Sequence, residues 1–338
     1  MSEINFVDIC CGLNWGDEAK GKVVAQLAKS GNYNFVCRWA GGNNAGHTIY
    51  IDGKKYKSHL VPSGVFFNVP SIIGPDCVVN LDSFKREIAY LKENGFNTDL
   101  IKVSPKAHLI TDEHIEEDKV KYKKQGTTSK GIAPCYRDKY ARKGILIGNV
   151  DFFKTYLWDE KLHGNILCEG AQGFWLDVTH GNYPYVTSST TLPYGACSLG
   201  FSPKLIRNIY GASKIYDTRV GFDPLFPETL LLDKDLVSII KQGKEYGTTT
   251  GRVRKVNWLN LDKLIDSINI SGTNIIIVSK TDVLDTLKLF KVIHNDNIKT
   301  FDSMQEMTSY ITSTLTQSCH FLEKIHFSDH LEVVNGLI

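Results

Sequence analysis

The chain has 338 residues, 42% of them hydrophobic and 22% charged, with a formal net charge of +2. This is globular composition on a chain long enough for a sizeable core, and the near-zero charge excludes a general pull towards nucleic acid or anionic membrane. No apolar run approaches the length of a membrane span, and the N-terminus lacks the regions of a signal peptide, so a cytoplasmic location is expected. The eight cysteines are scattered, with no Cys-x-x-Cys pair. Buried free thiols are expected rather than a zinc site or a disulfide framework.

The first apolar run, Ile4 to Cys11, predicts a buried strand, and Val23–Lys29 has apolar residues at helical spacing. Between them lies Gly12-Leu-Asn-Trp-Gly-Asp-Glu-Ala-Lys-Gly-Lys22. Strand, glycine-rich turn and helix present backbone N–H groups to a phosphate. Gly16, Gly21 and Lys22 stand at the fixed positions of a phosphate loop, with Asp17, Glu18, Ala19 and Lys20 between them. Val23 follows where the common loop has a Ser or Thr metal ligand, so a bound magnesium needs another ligand, and Asp17 is the candidate. The plain alternative is a tight turn with a solvated Lys-Gly-Lys.

Residues 32–37 read as a second strand, running into Arg38-Trp-Ala-Gly-Gly-Asn-Asn-Ala-Gly-His-Thr48. That stretch is expected to pack poorly as helix or strand interior and to suit close backbone approach to a ligand. His47 is either an ordinary loop histidine or a general acid or phosphate donor. Residues 48–65 predict a hairpin turning at Asp52-Gly53. Val78–Asn80 reads as a short strand, Ser83–Asn94 as a helix ending at Gly95, and Asp112–Lys124 as a solvated helix or loop. Gly126-Thr-Thr-Ser-Lys-Gly-Ile-Ala-Pro134 precedes the cationic stretch Tyr136–Lys143, a pattern that suits either an anion or a charged surface helix.

Ile166–Cys168 reads as a buried strand leading into Glu169-Gly-Ala-Gln-Gly173. The hydroxyl cluster Thr187–Thr191 is an anion or sugar site, or a set of turn caps. Tyr216-Asp-Thr-Arg-Val-Gly221 and Gly247-Thr-Thr-Thr-Gly-Arg-Val-Arg254 place arginine beside Gly and Thr, either as clamps for carboxylate or phosphate or as surface residues. Thr273–Val278 is a β-branched strand ending in Ser279-Lys-Thr-Asp282. A carboxylate there can accept from N1–H and the amino group of guanine while the lysine stem covers the purine face. With the phosphate loop, this favours GTP over ATP. Strands near Phe290–His294 and Glu323–Phe327, with a helix between, complete the pattern. The whole predicts one large α/β domain, residues 1–338, around a central, mainly parallel sheet with inserted hairpins and ligand-binding loops.

These motifs, in this order, resemble the adenylosuccinate synthetase family. The matching stretches are Asn14–Lys22, Gly41–Thr48, Gly126–Gly131, Glu169–Gly173, Tyr183–Ser189, Thr218–Gly221, Gly247–Arg252 and Lys280–Asp282. The resemblance implies a ligase of purine (AMP) biosynthesis that makes adenylosuccinate, GDP and phosphate from IMP, L-aspartate and GTP, with Mg²⁺ and through a 6-phosphoryl-IMP intermediate. It implies a homodimer. By position, Asp17 would be the base for the N1 proton of IMP and a magnesium ligand, with the Gly46 carbonyl as a second ligand. His47 would be the acid, and Lys20 and the loop amides of Gly16, Glu18, Ala19, Gly21 and Lys22, with Thr48, would hold phosphate. Asn44, Thr128, Gln172 and Thr187 match IMP-binding positions, Gln172 at the reacting end. Arg142 matches an arginine that reaches the partner subunit's IMP. Thr249, Thr250 and Arg252 match the aspartate loop, Arg219 lies near the ribose, Arg254 near the GTP phosphates, and Lys280 and Asp282 at guanine.

The chain departs from the family pattern at several places. Asn14 replaces a usual Gln, Ala19 a Gly and Lys130 an Arg; Val253 interrupts an arginine run, and Phe222–Pro227 differs from a smaller, glycine-containing segment. The Gly-Pro-containing C-terminal segment that helps enclose guanine is not found. Two rival readings are a phage-type relative making 2-aminoadenylosuccinate from dGMP with ATP, against which Asp17 speaks, and a non-catalytic GTP-binding switch, which leaves His47 and the Gly247–Arg254 loop unexplained.

Overall fold

Along the first strand, β1 (Ile4–Gly12), side chains alternate between two apolar layers. Val7, Ile9 and Cys11 enter one hydrophobic cluster, and Cys10 enters another. A strand apolar on both faces belongs in the middle of a covered parallel sheet. The computed structural model describes residues 3–122, 126–247 and 251–329. The next strands are β2 (Phe35–Gly41), β3 (His47–Ile51), β4 (Lys54–Ser58), β5 (Ser71–Asn80), β6 (Ile101–Val103), β7 (His108–Ile110) and β8 (Gly164–Glu169). Then come β9 (Ile206–Lys214), β10 (Tyr216–Arg219), β11 (Lys255–Asn260), β12 (Ile275–Ser279), β13 (Lys291–His294), β14 (Asn297–Thr300) and β15 (Lys324–Phe327). The helices are α1 (Lys20–Lys29), α2 (Leu81–Glu93), α3 (Asp112–Lys121), α4 (Ile132–Tyr140), α5 (Lys234–Gly243), α6 (Leu261–Ser271), α7 (Thr281–Leu287) and α8 (Met304–Ser318).

The main sheet runs β15-β12-β9-β1-β8-β2-β5-β6, with β7 also on β5. Its pairings are all parallel. Helix α1 covers one face through Val23, Val24, Leu27 and Ala28, which pack with Cys10, Leu167 and Ala212. Residues of α6 and α8, among them Leu264, Ile268, Ile311 and Leu315, join the cluster that takes Val7 and Ile9. β1 sits between β8 and β9, whereas the next strand in sequence, β2, lies beyond β8. The chain therefore winds outward on both sides of β1, and in such sheets ligands bind beyond the carboxyl ends of the strands. A smaller sheet, β10-β11-β13-β14, and the hairpin β3-β4 accompany it.

The expected α/β fold with a parallel central sheet is present, and so is the hairpin turning at Asp52 and Gly53, both at positive φ. One expectation is corrected. Arg38–Gly41 are not loop: β2 runs through to Gly41, with Arg38 paired to both β5 and β8 and Ala40 and Gly41 continuing the pairing on β5, so sheet pairing overrides the local glycine content. The irregular stretch shrinks to residues 42–46. Strand β9, next to β1, has no counterpart among the expected elements, because Ile-Arg-Asn-Ile-Tyr-Gly-Ala-Ser-Lys lacks an apolar run. All eight cysteines are free thiols, seven of them buried. Among the described residues no helix is long and apolar enough to cross a membrane.

Candidate active site

The carboxyl ends of five neighbouring strands, β12, β9, β1, β8 and β2, carry the sequence motifs. β1 ends at Gly12 and delivers the phosphate loop. Gly16, Asp17 and Ala19 all adopt positive φ (88°, 62° and 69°), which folds the loop back on itself before α1 starts. The Glu18 carboxylate fills the turn: Asn14 N–H and Gly16 N–H donate to its Oε1 (3.1 and 2.8 Å), and Lys20 Nζ donates to Oε2 (2.6 Å). Gly173 must lack a side chain, since a Cβ there would collide with Glu18 Oε1. The loop is thus a built anion cradle, with amides and a buried lysine around a negative charge.

β2 and the residues after it bring up His47. A Cβ on Gly21 would lie 2.6 Å from His47 Cβ, so the histidine packs directly on the first turn of α1. Its Nδ1 hydrogen-bonds Glu169 Oε1, at the end of β8. Arg38 Nη2 donates to the same oxygen at 2.8 Å, and Ser63 N–H donates to Glu169 Oε2 at 2.6 Å. Arg38 and Glu169 are both wholly buried. A carboxylate accepting at Nδ1 fixes the ring and its tautomer. Burial pushes the His47 pKa down, while Glu169 pulls it up. Burial also disfavours the Glu169 charge, but His47 and Arg38 outweigh it and hold the carboxyl down at about 2.

Asp17 faces the other way. Its Oδ2 accepts from Arg254 Nε at 2.7 Å, and its side chain remains 30% exposed. Arg254 Nη1 in turn donates to the buried Glu245 Oε2 at 2.7 Å. Lys280, just past β12, donates to Glu245 Oε1 and to Gly243 O, both at 2.6 Å. Lys280 is the lysine expected over a purine face, and a buried carboxylate holds its ammonium. Lys22 lies close enough to Lys280, Asp282 and Asp329 to feel all three, and burial with the Lys280 charge lowers its pKa to about 8. The phosphate loop and the Lys280–Asp282 segment thus adjoin.

Gln172, at positive φ, sits against Gly16, and its Oε1 accepts from Ser189 Oγ, which shares a 3.2 Å hydrogen bond with Thr187 Oγ1. Arg219 donates through Nη2 to Tyr185 O at 2.6 Å, and its Nε lies 3.4 Å from Asp223 Oδ2. Arg252 points both terminal nitrogens at Gly126 O, at 3.5 Å, bringing it to the segment that contains Thr128. Asn44 Oδ1 accepts from Gly42 N–H, and Gly46 and Thr48 flank His47 in sequence. Arg142 is exposed at the end of α4, away from these contacts. Thr249 and Thr250 lie outside the described residues.

A family model described as adenylosuccinate synthetase matches residues 9–165 and 151–322. The chain belongs to the adenylosuccinate synthetase family. It is similar to the family member of Lysinibacillus sphaericus, 37% identical over 351 aligned positions that cover 86% of this chain and 80% of the relative. The Streptococcus gordonii enzyme is 38% identical over 342 positions, covering 84% and 79%. The solved structure of fully ligated adenylosuccinate synthetase from Plasmodium falciparum superposes with a TM-score of 0.81 at 26% identity, over 97% of both chains. Cyanophage S-2L succinoaminodeoxyadenylate synthetase, solved with dGMP and dATP, shares the fold at a TM-score of 0.67 and 18% identity, over 92% and 99%. Membership makes the chain a ligase.

Against that family, two departures gain a physical meaning. Ala19 holds a left-handed φ that the usual glycine adopts without strain. Asn14 reaches into the fold: its Nδ2 donates to the buried Asp217 Oδ1 at 2.7 Å, and Asn260 N–H donates to Oδ2 at 3.0 Å. Burial pushes the Asp217 carboxyl up to about 7, against these two hydrogen bonds. Four residues with evident work here, Arg38, Glu169, Asp217 and Glu245, are not singled out by the sequence. A charged residue closing an apolar strand, as Glu169 closes Ile166–Cys168, is the one signal it offers.

Proposed function

We propose that the chain joins L-aspartate to IMP at the expense of GTP, giving adenylosuccinate, GDP and phosphate, as a cytoplasmic step of AMP formation. The observation that carries the reading is that one phosphate loop carries an accessible carboxylate, Asp17, in its turn and, packed on Gly21 in the first turn of the helix it opens, a histidine oriented by a buried carboxylate, His47 on Glu169. Asp17 takes the N1 proton of IMP, which makes O6 a nucleophile for the γ-phosphorus of GTP. The O6–P bond forms as the bond to the GDP oxygen breaks. The aspartate amine then attacks C6, and phosphate leaves with the oxygen that was O6. His47 presents Nε2 to the transferring phosphoryl group, and the Glu169 charge favours its protonated form when that anion is near. Gln172, Asn44, Thr128 and Thr187 hold IMP, Arg219 its ribose region, and Arg252, with Thr249 and Thr250, the aspartate carboxylates. Arg254 and the loop residues take the GTP phosphates, and Asp282 with Lys280 takes guanine.

Among the described residues no three His, Cys, Asp or Glu side chains are grouped to hold a metal. A magnesium held by the Asp17 carboxylate and the Gly46 carbonyl fits this, since that ion takes few protein oxygens and completes its shell with phosphate and water. When bound, it neutralises charge on the triphosphate. We further propose that the chain works as a single domain and as a homodimer in which the exposed Arg142 reaches the IMP phosphate of the second subunit. The test of the chemistry is an isotope transfer. With ¹⁸O at O6 of IMP, the label is expected in inorganic phosphate; label retained in the purine product would refute the phosphoryl intermediate.

A further inference from the structure

Glu245 follows α5 and is wholly buried. Its Oε1 accepts from Lys280 Nζ (2.6 Å) and from Tyr216 OH (2.8 Å). Its Oε2 accepts from Arg254 Nη1 (2.7 Å) and from Lys214 Nζ (3.0 Å). The four donors come from β9, β10, the approach to β11 and the end of β12. The backbone repeats the tie, for Arg254 N–H donates to Glu245 O at 2.9 Å and Gly247 N–H to Arg252 O at 2.8 Å, so the two arms of the 245–254 segment are paired at their base. Three cations on one carboxylate is an imbalance. Asp17, on the far side of Arg254, supplies a second negative charge.

We infer that Glu245 is a positioning residue that couples two parts of the GTP site: it holds Arg254 against the phosphate-loop carboxylate Asp17 and, through the same carboxylate, sets the place of Lys280 beside Asp282. This rests on the reading of Lys280–Asp282 as the base-recognising segment. Burial alone disfavours the Glu245 charge, yet Lys214, Lys280 and Arg254 together hold its pKa well below the usual carboxylate range, so it stays a fixed negative centre. Lys214 gives the converse: burial lowers it to about 8, and the Glu245 charge limits the fall. Loss of the carboxylate leaves three cations facing one another and removes the anchor that Lys280 and Arg254 share, leaving Lys280 on Gly243 O and Arg254 on Asp17.

The test is a double-mutant cycle on nucleotide binding. GTP affinity is measured by titration calorimetry, without IMP or aspartate, for the native chain, Glu245→Gln, Lys280→Met and the double variant, with Glu245→Asp as the charge-preserving control. Loss of a charge-assisted contact weakens binding about tenfold to a hundredfold. Coupling predicts that the double variant binds no worse than the weaker single one, and that Glu245→Asp recovers part of the loss. Fold-losses that multiply, or a Glu245→Gln chain that binds GTP as the native one does, overturn the inference. If Glu245→Gln does not fold, the same cycle is run with Glu245→Asp, where weakened, non-multiplying losses support the coupling and native affinity or multiplying losses refute it. Binding needs no turnover. A native chain that binds GTP but makes no adenylosuccinate would sink the proposed reaction alone, and product formation with multiplying losses would sink the coupling alone.

Discussion

Replacing Asp217 with asparagine removes a charge from the least hospitable place near the phosphate loop. Asp217 is 2% exposed and takes hydrogen bonds from Asn14 Nδ2 and Asn260 N–H. Burial raises its carboxyl from 3.8 to about 7, with the hydrogen bonds and the charges of Lys263 and Lys214 opposing the rise. A raised carboxyl works against the fold as pH increases: the unfolded chain ionises near 4, while the folded chain keeps its proton until about 7. Stability from this group is therefore lost between those values and flat above them. The full loss is about 4 kcal/mol, of which about 3 kcal/mol falls between about pH 5 and pH 8. The side-chain amide of the variant does not titrate. Urea unfolding of both chains at about pH 5 and pH 8 should show Asp217→Asn gaining about 3 kcal/mol on the native chain over that interval, with equal denaturant slopes. A difference between the two chains that does not change with pH would refute the buried, neutral-leaning carboxyl.

Other expectations follow from the same geometry. Asp17→Ala and His47→Ala should each abolish turnover while thermal unfolding stays cooperative; near-native activity in either removes the acid–base pair. Glu169→Gln leaves Arg38 buried without its counter-charge and His47 without its upward pull, so kcat should drop about a hundredfold and, because His47 acts as the acid, the descending, alkaline limb of the pH profile should move to lower pH. An unmoved profile would mean that Glu169 only supports the fold. Arg252→Leu should chiefly raise the KM for aspartate, and an unchanged value sinks that assignment.

Much of this is legible in the sequence because the chemistry sits where local signals are strongest. An apolar strand followed by Gly16, Gly21 and Lys22 announces a phosphate loop, and the β-branched run before Lys280 announces a strand end. What stays hidden depends on long-range pairing. Arg38 to Gly41 read as loop because glycine depresses strand propensity, yet β8 holds Arg38 and parallel pairing with β5 carries the strand on to Gly41. β9 escapes a reading by pattern because its neighbours, rather than an apolar run, keep Gly211 and Ser213 extended. The buried carboxylates Glu169 and Asp217 cannot be told from surface acids in sequence, since partners lie far away: Arg38 is 131 residues from Glu169, and Asn14 is 203 from Asp217. The motif alone assigns Lys280 to a purine face, and only the fold shows the carboxylate that holds it.

The central claim is tested most directly by the identity of the product. The chain is incubated with IMP, GTP, aspartate and Mg²⁺, and in parallel with dGMP, ATP, aspartate and Mg²⁺, and both mixtures are read by mass spectrometry. Adenylosuccinate, formed only when aspartate is present and only in the first mixture, is the predicted result. An aspartate adduct of the 2-amino nucleotide from the second mixture alone, or no adduct in either, would contradict it.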